Sequence, residues 1–424
     1  MNYKSGTLYV CPTINTMGPV VDARHNDLLS TWQDVDRGVE RIFAPAYRNQ
    51  YPDSFGRAAR FSWFVISWSG FKSNPVQRDF GYFNIYDHYT KAYGARMREY
   101  GDDIFWMYNH PPASGVGNEW GMEWMQNAQY LEILMRAVAE RNWFPSVVQV
   151  PTEAQDTSHF LENYFPFDLS NRNAADIQWE AKNADGKTMA QVIDWRRAPH
   201  NWEIYHPNEE DYQVGGAMKR HIGRLLDIQS IVYVLTEAEI EVAFQRCLEG
   251  HDVMLSAYEH DFRDRADAIR TRLLEPVYRL ASKYPEVKWR YENSLDAFRA
   301  VSKQEDTGQP TFKVSLDGHG NLLIQSRQRI FGYAPFTFFA KDGRYQHINP
   351  LRVGERAWLI YSGQFEGRGD LFVAAHSNAA NSSIQKFNIP CGQPAAETSA
   401  TGFPGTAQAT APALTQGINK GLHQ

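Results

Sequence analysis

Residues 252–264 read DVMLSAYEHDFRD, and this stretch decides the fold. From Val253 to Tyr258 the chain is almost continuously apolar, then it turns polar at once with Glu259, His260 and Asp261. A strand that is apolar on both faces belongs in a parallel sheet covered on both sides. The segment before it carries a helix signature. Thr236 and Glu239 have capping-box spacing, Gly250 is a stop, and Ile240, Ala243, Phe244, Cys247 and Leu248 fall on one helical stripe. The segment after it, Arg265 to Lys283, repeats that stripe with Ile269, Leu273, Val277 and Leu280. Working outward, strands of the same type are expected at Leu8–Ile14, Arg60–Ser67, Asp103–Tyr108 and Ser146–Val150. Strand–helix alternation on this scale predicts an α/β fold, either a doubly wound sheet or a barrel, and periodicity alone leaves that choice open.

The pattern changes at KQEDTGQP, residues 303–310. Beyond it come short alternating strands: FKVSLD, a turn at Gly318–Gly320, NLLIQS, PFTFFAKDGRYQHI and DLFVAAHS. Asp342-Gly343 between alternating runs is a hairpin signal. Three regions are therefore expected: a first domain over 1–303, a small all-β, sandwich-like domain over 310–390, and a tail over 391–424. The tail is rich in Ala, Thr, Gly and Pro with little to bury, and reads as disordered.

With 43% hydrophobic and 22% charged residues, the chain has the composition of a globular protein with a sizeable core. A net charge of −6 supplies no basic footprint for nucleic acid or for an anionic membrane surface. No stretch approaches the ~20 apolar residues of a membrane span. MNYKSGTLYV lacks the apolar run of a secretory signal, so the cytoplasm is the expected compartment. Cys11, Cys247 and Cys391 are too far apart for a CxxC metal pair or a disulfide framework. Aromatics reach 14%, which suits either sugar stacking or a large core and domain interfaces. There is no P-loop, no GxGxxG followed by a suitable acid and no GxSxG, so nucleotide, dinucleotide and serine-hydrolase chemistry lack support.

In a parallel α/β barrel, reactive side chains belong at the carboxyl ends of the strands. Three such ends turn abruptly polar: CPTINTMGPVVDARH, FWMYNHPPASGVGNEWG and MLSAYEHDFRD. TINTMGP resembles the TxDxEGP stretch that ends strand one in a branch of the polysaccharide deacetylases. MYNHPP resembles that branch's HxHP motif, and SAYEHDFRD its late His-Asp motif. DSFGRAARFSWFV, YFPFDLSNR and DWRRAPHNWEIYHPNEEDYQVGG are similar to further family segments, so the likeness spans roughly residues 5–300. It implies a deformed (β/α) barrel of about seven parallel strands. It also implies hydrolysis of N- or O-acetyl groups on sugars or glycan precursors, with one divalent, zinc-like metal held by an Asp and two His, a second Asp as base and a late His as acid.

The departures lie at the reactive positions. Asn15 stands where the pattern has Asp, Met17 where it has Glu, and Tyr108 where it has the first His. An amide cannot take a proton from water, and a thioether is a poor ligand for a hard or borderline cation. Of the metal set, His110 survives; Asp22, His25 and Glu119 are loop residues that could replace the others or remain solvated. In the late motif His260 is the acid–base candidate, with Asp261 and Asp264 to orient it or to cap the following helix, and Arg263 as a partner for an acid. Asp168 and Asn171, expected just after a further strand, could line the pocket or form an Asx turn. His206, Asp211 and Tyr212 could touch substrate or belong to a Pro-containing loop. Trp120, Trp124 and Trp202 could stack on sugars or simply pack. Three functions remain open: a sugar acyl hydrolase with a degenerate metal site, a silent glycan-binding or assembly protein, and a metal-free enzyme using His260 and Asp264.

Overall fold

The computed structural model describes residues 5–21, 27–67, 81–108, 129–150, 159–174, 194–229, 233–365 and 369–389. Residues 7–291 are built on one parallel sheet. The strands are β1 (Thr7–Thr16), β2 (Ser62–Ser67), β3 (Asp103–Tyr108), β4 (Val147–Gln149), β5 (Phe167–Asn171), β6 (His221–Arg224), β7 (Leu226–Asp227), β8 (Val253–His260) and β9 (Lys288–Tyr291). The order β6-β5-β4-β3-β2-β1-β8-β7 closes on itself, because β6 and β7 are two halves of one stretch broken only at Leu225. Its first half pairs with β5 and its second with β8. The ring therefore has seven strand positions. An eighth strand, β9, wedges against the amino-terminal half of β1, below the point where β2 begins to pair. The choice left open by periodicity falls to a nearly closed barrel.

Strand parity sorts the side chains. Residues paired in register on parallel strands project to the same face, and alternate residues to the other. Trp63 and Trp106 face outward: Trp63 packs on Phe43 and Tyr89 of flanking helices, and Trp106 packs on Phe165. Asn15, Phe64 and Phe105 share the opposite, interior face. Phe298 closes the amino end of the bore, stacked on Phe167 at 4.8 Å and packed against Gly223. A Cβ at Gly223 would fall 2.7 Å from the Phe298 ring, so a larger residue there would displace the plug.

The expected helix runs from Glu237 to Leu248, and the Thr236 hydroxyl accepts a bond from Glu239 N, as the spacing predicts. The reciprocal half of the box is replaced. The buried Glu239 carboxylate makes a two-pronged pair with Arg224 at 2.7 Å on each prong. The second long helix is continuous but not uniform. Between Ala266–Ile269 and Glu275–Lys283 lies a π turn, Arg270–Leu274, in which Glu275 N bonds to Arg270 O. Pro276 explains it: the ring has no N–H to give and would collide with the carbonyl one α-turn back, and the wider turn avoids both.

Beyond residue 303 lie two antiparallel sheets. One has β10 (Phe312–Leu316), β11 (Leu322–Ser326), β15 (Ala357–Ile360) and β14 (Leu351–Gly354) in that order. The other has β13 (Arg344–Ile348), β12 (Phe336–Lys341), β16 (Gly369–His376) and β17 (Ser382–Ile389). Leu322, Ile324, Trp358 and Ile360 of the first share a core with Phe339, Leu371 and Val373 of the second. Asp342 and Gly343 both have positive φ, 51° and 73°, the hairpin geometry their dipeptide predicts. Phe336, Phe338 and Phe372 of this small all-β domain join a cluster with Phe144, Phe165 and Trp106, which fixes it to the flank of the barrel. Among the described residues no helix is long and apolar enough to cross a membrane.

Candidate functional site at the barrel mouth

Parallel strands bring their carboxyl ends to one rim, and three polar side chains meet the interior face there. Asn15, next to last in β1, is in register with His260, the last residue of β8. Gln149 ends β4 in register with Met107, on the same face as Phe105 and Asn15. Asn15 and Gln149 are 1% and 3% exposed, yet among the described residues Asn15 Oδ1 and Gln149 Oε1 have no hydrogen-bond partner. A buried amide oxygen left unbonded costs about 1–3 kcal/mol, so two on one face ask for donors from elsewhere. His260 is only partly buried, its ring held between Tyr258 at 5.3 Å and Phe262 at 4.7 Å. Just below, Arg172 lays its guanidinium over the Tyr258 ring at 4.9 Å and bonds Leu225 O at 3.0 Å, while its Nε stays buried and unbonded.

Asp261 is committed elsewhere. Its carboxylate accepts from Met17 N at 2.7 Å, Gly18 N at 3.0 Å and the Tyr89 hydroxyl at 2.9 Å. It thereby pins the chain leaving β1, where Gly18 adopts φ 71°. Asp264 lies out at the surface, 42% exposed and bound to Arg41 at 2.6 Å. Neither aspartate caps the helix that follows, whose N-cap residue Arg265 makes no side-chain capping bond and pairs with Asp27 instead. Arg263 pairs with Asp27 at 3.1 Å rather than with either of them. Glu259, out of phase with His260, is 3% exposed, and burial, reinforced by Asp227, pushes its carboxyl up to about 7.

The remaining candidates separate. Asp168 and Asn171 lie within β5 rather than after it, both fully buried. Asp168 bonds the Ser170 hydroxyl, and Asn171 spans Pro199 O and Asn173 N. Trp202 is 2% exposed, donates to Glu239 O at 2.8 Å and stacks on Arg224. Tyr212 donates to Asp194 O at 2.8 Å, and Asp211 pairs with Arg197. His206 is at the other end of the barrel, beside His221, which opens β6. His110, Asp22, His25, Glu119, Trp120 and Trp124 lie outside the described residues.

The zinc-like metal that the resemblance implies does not find its donors among the described residues. Asn15 offers a neutral amide oxygen on the interior face. Tyr108 is one residue out of phase with Met107 and faces the helices, near Tyr130, with burial holding its phenol far above its usual range. Met17 is packed in the core. These three do not converge and do not make the anionic and imidazole set that zinc takes. Among the described residues no cluster of three or more His, Cys, Asp or Glu gathers around a common point.

No family model matches this chain, and no curated protein does. Two solved structures are similar to it at long range. One is a "putative glycoside hydrolase/deacetylase" from Parabacteroides distasonis, at 11% identity and a TM-score of 0.31, over 82% of this chain and 85% of that one. The other is a double mutant of the Cellulomonas fimi endo-beta-1,4-mannanase, at 9% identity and a TM-score of 0.18, over 86% and 71%. Likenesses this remote carry no argument about chemistry. The class of protein is set by the strand pairing itself: a nearly closed parallel barrel followed by a small all-β domain.

Proposed function

We propose that this chain acts on an acylated sugar held at the barrel mouth, with His260 as the acid–base group in hydrolysis of the acyl bond. The observation that carries the reading is the pair of buried, unbonded amide oxygens, Asn15 Oδ1 and Gln149 Oε1, on the interior face shared by His260. They need donors, and sugar hydroxyls or an acetamido N–H are donors; Arg172 Nε supplies the complementary demand for an acceptor. His260 is half-buried, which leaves it able to exchange protons with solvent, and in this reading it protonates the departing oxygen or nitrogen. No step in this reading runs through a metal.

A second reading, sugar binding without turnover, is favoured by Asn15 and Asp261. The first cannot act as a base, and the second has its carboxylate bonded to two backbone amides and a phenol. One experiment separates the two. The full chain is incubated with N-acetylglucosamine oligomers and with O-acetylated xylan fragments, with and without chelator, and released acetate is measured beside calorimetric binding. Acetate release lost in His260→Ala supports hydrolysis. Binding without release supports the silent reading. Neither binding nor release with any acylated sugar sinks both.

A further inference from the structure

We infer that the seam between the barrel's amino end and the β domain is a second binding site, for a small organic anion. A cavity of about 480 Å³ opens there, within the range of small-molecule pockets. His206 and His221 form one wall, their rings 4.0 Å apart. Lys219 approaches from the barrel, Arg329 and Arg352 from the β domain, and among the described lining residues Glu355 is the one carboxylate.

The charges do not cancel. Glu355 is used by Arg329. Lys219 bonds the Phe331 carbonyl at 3.2 Å, and Arg352 bonds the carbonyls of Gly354 at 3.1 Å and Glu355 at 3.2 Å. Among the described residues neither cation forms an ion pair, so the cavity keeps two uncompensated positive charges.

The histidines sharpen the reading. His221 is 7% exposed. Its Nε2 meets the Gln304 amide nitrogen at 3.5 Å. An amide nitrogen only donates, so this ring nitrogen accepts and the proton sits on Nδ1. That Nδ1–H is buried and lines the cavity, with the Pro166 carbonyl close enough to favour its protonated form but no well-formed hydrogen bond among the described residues. A protonated nitrogen beside two free cations repels a metal ion and invites an oxyanion. The ligand class is thus a compact polar molecule bearing a phosphate or a carboxylate. This site is at the opposite end of the barrel from His260, because β6 begins at His221 and runs parallel to β8, which ends at His260.

The test is titration calorimetry on the full chain with glucose 6-phosphate, glucuronate and glucose as probes. Saturable one-to-one binding is expected for at least one of the two acids and not for glucose, and the acid that binds identifies the anion. Arg352→Glu and His221→Phe should each weaken that binding about tenfold or more, and Lys219→Glu does the same duty should the buried His221→Phe fail to fold. His260→Ala should leave it unchanged. Absence of binding to either acid overturns the inference, as does equal binding of glucose, indifference to Arg352→Glu and Lys219→Glu, or loss in His260→Ala.

Discussion

Two buried polar regions of the same barrel are finished differently. At the amino ends of β2 and β3, Arg48 and Asp102 are wholly buried and every strong group is answered. The guanidinium bonds both Asp102 oxygens at 2.9 and 2.7 Å and the carbonyls of Ile42 and Ala59, and it stacks over Phe43, Phe61 and Tyr100. Asp102 also accepts from Phe61 N and Trp63 Nε1. At the carboxyl rim, Asn15, Gln149 and Arg172 are as deeply buried and leave atoms unanswered. The first region is complete within itself; the second leaves atoms that the proposed sugar would answer.

The comparison can be broken first at the Arg48 end. Asp102→Ala strands a buried cation and two donors, and a loss of about 3–5 kcal/mol is expected in urea unfolding. A loss under 1 kcal/mol would mean that the network is ornamental. Next in size is Glu259→Gln. With the folded carboxyl near 7 and the unfolded one at 4.5, the folded state holds the proton more tightly. Its penalty is therefore absent below about pH 4.5, grows as pH rises through 7 and is constant above. The variant should gain on the wild type by roughly 3 kcal/mol between pH 4.5 and 8, read as a difference in unfolding free energy. A pH-independent difference would refute the raised carboxyl. Asn15→Leu should leave stability unchanged or raise it by about 1 kcal/mol, since it deletes an unbonded acceptor, while abolishing sugar binding. A marked loss of stability would show that the amide is structural. Smallest is Gly343→Ala in the β12–β13 hairpin, where φ 73° disfavours a side chain and about 1 kcal/mol is expected by thermal unfolding.

Much of the scaffold was legible because apolar runs and turn chemistry are local. All five expected strands, the Thr236 cap and the Asp342-Gly343 turn are where their residues put them. Local signals could not reveal that Glu239 would leave its cap for Arg224, fifteen positions back in the chain, nor that Asp261 would reach Met17 and Gly18. Those choices depend on what the closed ring brings near. The rim was half legible. Asn15 and His260 stand out as polar residues ending apolar strands. Gln149 gives the same signal in SVVQV, but a lone amide ending a strand does not by itself point to chemistry. Arg172 carries no local signal, because arginine in a sequence is most often a solvated residue.

The position of β1 has a consequence for how the chain is made. This strand, residues 7–16, is translated long before its neighbours on one side, β8 and, at its base, β9. Half its backbone amides and carbonyls must wait for residues 253–260 to be translated, and at roughly 5–20 residues per second that delay is on the order of ten seconds or more. During that interval the nascent protein carries an apolar strand with one open flank, the kind of edge that invites pairing with a wrong partner. Chains truncated before Val253 should for this reason aggregate rather than accumulate as a soluble partial barrel.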